Sequence, residues 1–186
     1  IAGHINGGTT SLPERDIARL VEAESGIALE LVHCGNGRTA LVGLGAAAEA
    51  EALDRVILGN DAPSGTGVVA LGILRLMAHL ASLGGVAPES IVCLATGNTA
   101  RVHDLDVGVI APGRAADLCI VDAPVGSVAD TALGALANGV GDLAHGRGTL
   151  VRRQDVTGQE PGDHEREQAE NEDKRRHDGR HRETGL

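Results

Sequence analysis

The chain has 186 residues, with 26 acidic and 16 basic side chains and a net charge of -10, which leaves no cationic surplus to displace counterions from nucleic acid or an anionic membrane. It contains no Phe, Tyr or Trp, which removes aromatic cages, base-stacking platforms and the aromatic belts of membrane proteins. The 42% apolar fraction, drawn mainly from Leu, Ile, Val and Ala, suffices for one core with an appendage.

The first residues, IAGHINGG, carry no basic region followed by an apolar stretch, and no later run offers about 18 uninterrupted apolar residues, so neither a signal peptide nor a membrane span is predicted. Opening on Ile1 rather than Met, the chain starts as if on the end of a strand, Ile1 to His4, and reads as a fragment. Pro13 sits where the first helical position would be, and PERDIARLVEAE places Ile17, Leu20 and Val21 on one face of a helix stopped by Gly26. IALELVH is a short buried strand, CGNG a turn, and about 38–52 a second helix. A strand over 55–58 turns sharply at GND before a long helix from about Val68 to Leu83, and PESIVCLATGNTARVHDL continues helical. Alternating strands and helices with such connections imply right-handed crossovers and a parallel sheet of three strands under its helices. From Val107 the pattern changes: GVIAPGRAADLCIVDAP predicts strand, Pro-Gly turn and strand, SVADTALGALANG a short helix, and TLV at 149–151 a last pairing segment.

After Val151 the composition shifts abruptly, with Val156, Ala169 and Leu186 the only aliphatics. A segment that buries no apolar surface cannot offset its chain entropy, so 152–186 is predicted to be a disordered tail, with His164, His177 and His181 solvated. Cys34, Cys93 and Cys119 are odd in number and include no CxxC pair, which fits a reduced, cytoplasmic setting.

In parallel α/β architectures ligands gather beyond the carboxyl ends of the strands. His4 ends the first strand, His33 with Cys34 the second, and Asn60 with Asp61 the third. An imidazole and a carboxylate at one mouth can bind a divalent metal, and the carboxylate can also move a proton. The alternative is that His4 and Asp61 merely cap helices or satisfy turn amides. His33 beside Cys34 fits a packed strand-end histidine, and His79 and His103 lie on helices without a catalytic setting. Gly65 to Gly67 is not a phosphate loop, since no Lys follows and neither GxGxxG nor Walker spacing is present.

The opening GHINGGTT, the run GNDAPSGTG, and the segment from Asn98 through Ala100, Leu105, Gly108, Ile110 and Gly113 to Ala116-Asp117-Leu118 together resemble the C-terminal half of the metal-dependent amidohydrolase superfamily. The likeness runs from about Ala2 to Val140 and is nearest to the branch that opens a cyclic amide in nicotinate breakdown. It implies an α/β fold: the C-terminal portion of a (β/α)₈ TIM barrel over 1–104, part of a small β-sandwich over 105–151, then the tail. His4 matches the metal-ligating histidine of strand six, and Asp61 the strand-eight aspartate that contacts metal and carries the proton to the leaving nitrogen.

The resemblance also implies zinc or iron as the divalent cofactor, a small cyclic amide as substrate and a homo-oligomer. The family's other ligands, an HxH pair, a bridging carboxylate or lysine and a strand-five histidine, have no counterpart here, so the chain alone is predicted to be inactive. Two alternatives stay open, an amidohydrolase acting on another lactam or imidazolone, and a non-catalytic association module.

Overall fold

The computed structural model describes residues 1–7, 12–23, 26–63, 67–115 and 117–141, and the backbone of Ala144–His145. The predicted tail, its three histidines and the run at 149–151 lie outside the described residues.

The first helix, α1, spans Glu14–Glu22, and Pro13 is its N-cap rather than its first helical residue. Its apolar stripe buries Ile17 and Val21 completely, each contributing about 1.5–3 kcal/mol relative to exposure. Strand β1, Leu29–Val32, follows, then α2, Gly37–Glu49, and a single 3₁₀ turn leads into β2, Val56–Gly59. Asn36 starts α2 by accepting the Thr39 amide at 3.1 Å on its side-chain oxygen. At Gly43 the absent side chain lets α2 approach the sheet and α1, since a Cβ there would meet Leu31 at 3.2 Å and Ile17 at 3.5 Å.

Strands β1 and β2 pair in parallel, Leu29 opposite Val56 and Val32 opposite Gly59. The predicted third strand is reduced to one parallel bridge, Ala2 with Leu29, flanked by hydrogen bonds from the Ala2 amide to Ala28 O at 2.7 Å and from the Ile5 amide to Glu30 O at 3.1 Å. Helices cover the sheet, so Leu29, Leu31, Val56 and Leu58 share one core with Leu44, Leu76, Leu80, Ile91, Leu94 and Leu136.

Helix α3 spans Gly72–Leu83, starting four residues later than predicted. The continuous helix predicted over 88–105 is two, α4 at Pro88–Ala95 and α5 at Gly97–Val102, because Thr96 adopts φ -117 and ψ -88 between them. Helix α6, Ala132–Ala137, forms as the sequence suggests, capped by the Thr131 hydroxyl.

The strand–turn–strand predicted from Val107 does not form as such. Gly108 and Gly113 adopt left-handed φ values of 81 and 83, Ile110 and Ile120 are exposed, and the regular strand here is the two-residue β3, Val121–Asp122, antiparallel to β4, Ala144–His145. Among the described residues no apolar layer covers this two-stranded ribbon, and a ribbon without one is marginal in water.

Candidate active site

Three segments deliver polar residues to one mouth, as the parallel topology requires. The bridge at Ala2 carries His4, β1 carries His33 and Cys34, and β2 carries Asn60 and Asp61. The structure brings His4 and Asp61 together: His4 Nε2 stands 2.9 Å from Asp61 Oδ2, with the side chains 37% and 44% exposed. Neither side chain caps a helix, since Pro13 and Leu71 occupy the N-cap positions of α1 and α3.

Both residues have left-handed backbones, His4 at φ 56 and Asp61 at φ 53. Such conformations cost a non-glycine residue about 1–2 kcal/mol, and a half-exposed ion pair returns at most about 1 kcal/mol. The surrounding fold therefore holds the pair in place. Gly7 provides part of that hold: its amide donates to His4 O at 3.0 Å, and a Cβ on it would lie 2.0 Å from His4 Nδ1. The imidazole rests where a side chain at position 7 would be.

His33 continues the strand ladder, its amide donating to Gly59 O at 2.9 Å. Its Nδ1 and the Oδ1 of Asn60 are buried without a hydrogen-bond partner, both beside Gly72, where a Cβ would stand 2.0 Å from Asn60 Oδ1 and 3.3 Å from His33 Cγ. His33 and Cys34 are not assembled into a metal cluster: among the described residues no group of three or more His, Cys, Asp and Glu is placed to hold an ion. His79 is instead a structural link, with Nε2 3.1 Å from Gly37 O.

Sequence reasoning passed over Asn6, which is fully buried. Its Oδ1 accepts the Val32 amide at 2.7 Å, and its Nδ2 donates to Val32 O at 2.9 Å and Asn36 O at 3.3 Å. The available signal was two Asn-Gly steps, Asn6-Gly7 and Asn36-Gly37, each just beyond a strand end.

The profile of the amidohydrolase family matches residues 4–151, which covers this mouth and most of the described residues. The chain belongs to the amidohydrolase family. It is 50% identical over 139 residues to enamidase of Eubacterium barkeri, covering 75% of this chain and 36% of that protein. The crystal structure of enamidase, described as a member of the amidohydrolase superfamily, superposes with a TM-score of 0.70 at 51% identity, over 74% of this chain and 35% of that one. The amidohydrolase chain thus spans about a third of the length of the relative it matches. The superfamily's fold is the TIM barrel, and the parallel pair with its covering helices is a partial sheet of that kind. Among the described residues no helix is long and apolar enough to cross a membrane.

Proposed function

We propose that this chain is part of a metal-dependent hydrolase that opens the C–N bond of a cyclic amide, as the name enamidase and the nicotinate-related resemblance suggest. The observation that carries this reading is the meeting of His4 and Asp61 at 2.9 Å from two separate strand ends. Imidazole nitrogen and carboxylate oxygen are donors that zinc and iron accept, so the pair fits two positions of a metal site, and the other ligands would come from elsewhere in a longer chain or assembly. A bound divalent cation would polarise the amide carbonyl and make water easier to deprotonate.

Asp61 then has the catalytic task. It accepts a proton from water as the water oxygen bonds to the carbonyl carbon, and it returns that proton to the ring nitrogen as the C–N bond breaks. His4 stands beside that carboxylate and would offer an imidazole nitrogen to the cation.

In the same reading, 1–104 is the C-terminal part of the barrel, 105–151 a partial β-sandwich and 152–186 a charged tail, in a cytoplasmic enzyme that assembles as a homo-oligomer. Metal content decides the central point. The chain, with His164, His177 and His181 replaced by Ala to silence adventitious ligands, is expected to take up zinc or iron and to lose it on His4→Ala and on Asp61→Asn. Uptake unaffected by either change would sink the reading. Complementation with the upstream part of an enamidase-type chain should then yield ring opening of a cyclic amide, and a panel of lactams and imidazolones identifies the substrate.

A second reading, an association module, is favoured by the exposed apolar side chains Ile110, Ile120, Val125 and Val128. No metal uptake, together with stable binding to a complementary chain, would support it instead.

A further inference from the structure

The segment that carries His4 leaves the sheet early. Ile5 still donates to Glu30 O at 3.1 Å, but beyond it the partner of β1 is a side chain. Asn6 Oδ1 accepts from the Val32 amide at 2.7 Å while Nδ2 donates to Val32 O at 2.9 Å. A carboxamide presents the same acceptor and donor as a peptide unit, so Val32 is satisfied as if a strand residue lay beside it. The main chain is thereby free to turn at His4.

The seat is closed from the other side by the turn after β1. Asn6 O accepts the Asn36 amide at 2.5 Å, and a Cβ at Gly35 would lie 2.5 Å from Asn6 O and 2.6 Å from Asn6 Nδ2. Gly35 has no left-handed φ, so its lack of a side chain answers to Asn6 and not to its own backbone. The HING run at 4–7 and the CGNG run at 34–37 are two halves of one lock.

We infer that Asn6, seated in the socket that Gly35 leaves open, is the positioning residue that holds His4 in its left-handed conformation against Asp61. A fully buried amide with both ends bonded resists displacement, and with Ile5 pinned to β1 the residue before it keeps little freedom. This rests on the reading of His4 as a site residue.

The test uses the complete chain without metal at fixed pH, following the His4 ring nitrogens by NMR, with Asp61→Asn as the reference for a broken pair. Asn6→Ala is expected to stay folded by circular dichroism while the His4 signal moves to the Asp61→Asn position. Leu44→Ala, which weakens the core away from the site, is expected to leave the signal in place. Gly35→Ala should displace His4 in the same direction, and should lower the urea midpoint far more in the native background than beside Asn6→Ala.

A His4 signal unmoved in folded Asn6→Ala overturns the inference. Should Asn6→Ala not fold, an unmoved signal in Gly35→Ala does so. Equal midpoint losses for Gly35→Ala in both backgrounds also overturn it. Failure of the metal reading looks different: no uptake of zinc or iron, with the dependence of His4 on Asn6 intact.

Discussion

At His4 and Asp61 the backbone is held in a left-handed conformation that costs more than the ion pair between them returns. The left-handed φ values of 56 and 53 oppose an ion pair at 2.9 Å that is partly solvated. Strain of this kind persists only where packing over-determines it, and such places concentrate at functional sites. Gly7 is the most exacting neighbour. Gly7→Ala would place a methyl group 2.0 Å from His4 Nδ1, so the ring must swing away. The expected result is a folded chain that loses the His4 to Asp61 pairing and takes up metal at least about tenfold more weakly, a loss of about 1.4 kcal/mol in binding, measured by zinc titration. The strand-end positions of His4 and Asp61 were legible in the sequence because turn residues follow each at once. Their approach to one another was not, since it depends on which strands neighbour each other.

Helices and strands here are joined by side chains that reach across to backbone carbonyls. Asn98, first residue of the segment that suggested the superfamily, donates through Nδ2 to Leu53 O and to Val56 O, both at 2.9 Å. It ties α5 to the entry of β2. Its place in the motif is thereby explained as structural, and Asn98→Ala is expected to cost about 1–3 kcal/mol, the usual effect of leaving such acceptors unpaired, read from urea denaturation. Arg55 plays a comparable part for α1, with Nη1 donating to Val21 O at 2.8 Å and to Ala23 O at 3.2 Å and Nε to Ile27 O at 3.1 Å. Lysine cannot reproduce that fork, so Arg55→Lys should lower thermal stability nearly as far as Arg55→Ala. The amphipathic periodicity of α1 and the apolar runs of β1 and β2 made these elements readable. The break at Thr96 and the late start of α3 were not, because they follow from the irregular backbone at Thr96 and the left-handed one at Leu71, two residue types that do not by themselves announce such conformations.

For the whole molecule, the described part is one core wrapped on a two-stranded parallel sheet, with several apolar side chains between Val107 and Val128 turned outward. Ile110 is 89% exposed and Val125 and Val128 are more than four-fifths exposed. Large apolar side chains left this exposed are available for association. Self-association that grows with concentration is the expected behaviour in sedimentation velocity. Ile110→Asp combined with Val125→Asp should reduce it severalfold without moving the urea midpoint, since neither side chain is in the core. Association unchanged by the double substitution would show that another surface is responsible. The β unit was legible as a change in pattern but not as a structure, because among the described residues no layer covers its apolar side chains Ile110 and Ile120.

The seat of Asn6 has a further consequence, in the chemistry of ageing. Asn followed by Gly is the sequence that deamidates most readily, through attack of the glycine nitrogen on the side-chain carbonyl. In the fold the Gly7 nitrogen is engaged with His4 O at 3.0 Å and the Asn6 carbonyl oxygen with Val32 at 2.7 Å, which keeps the two out of reaction geometry. Each excursion to the unfolded state releases both. A chain that unfolds often would therefore convert Asn6 to an acid that cannot donate to Val32, and would lose its ability to return, whereas a chain kept folded would preserve its lock; peptide mapping after incubation above and below the urea midpoint should find the conversion at Asn6 confined to the former.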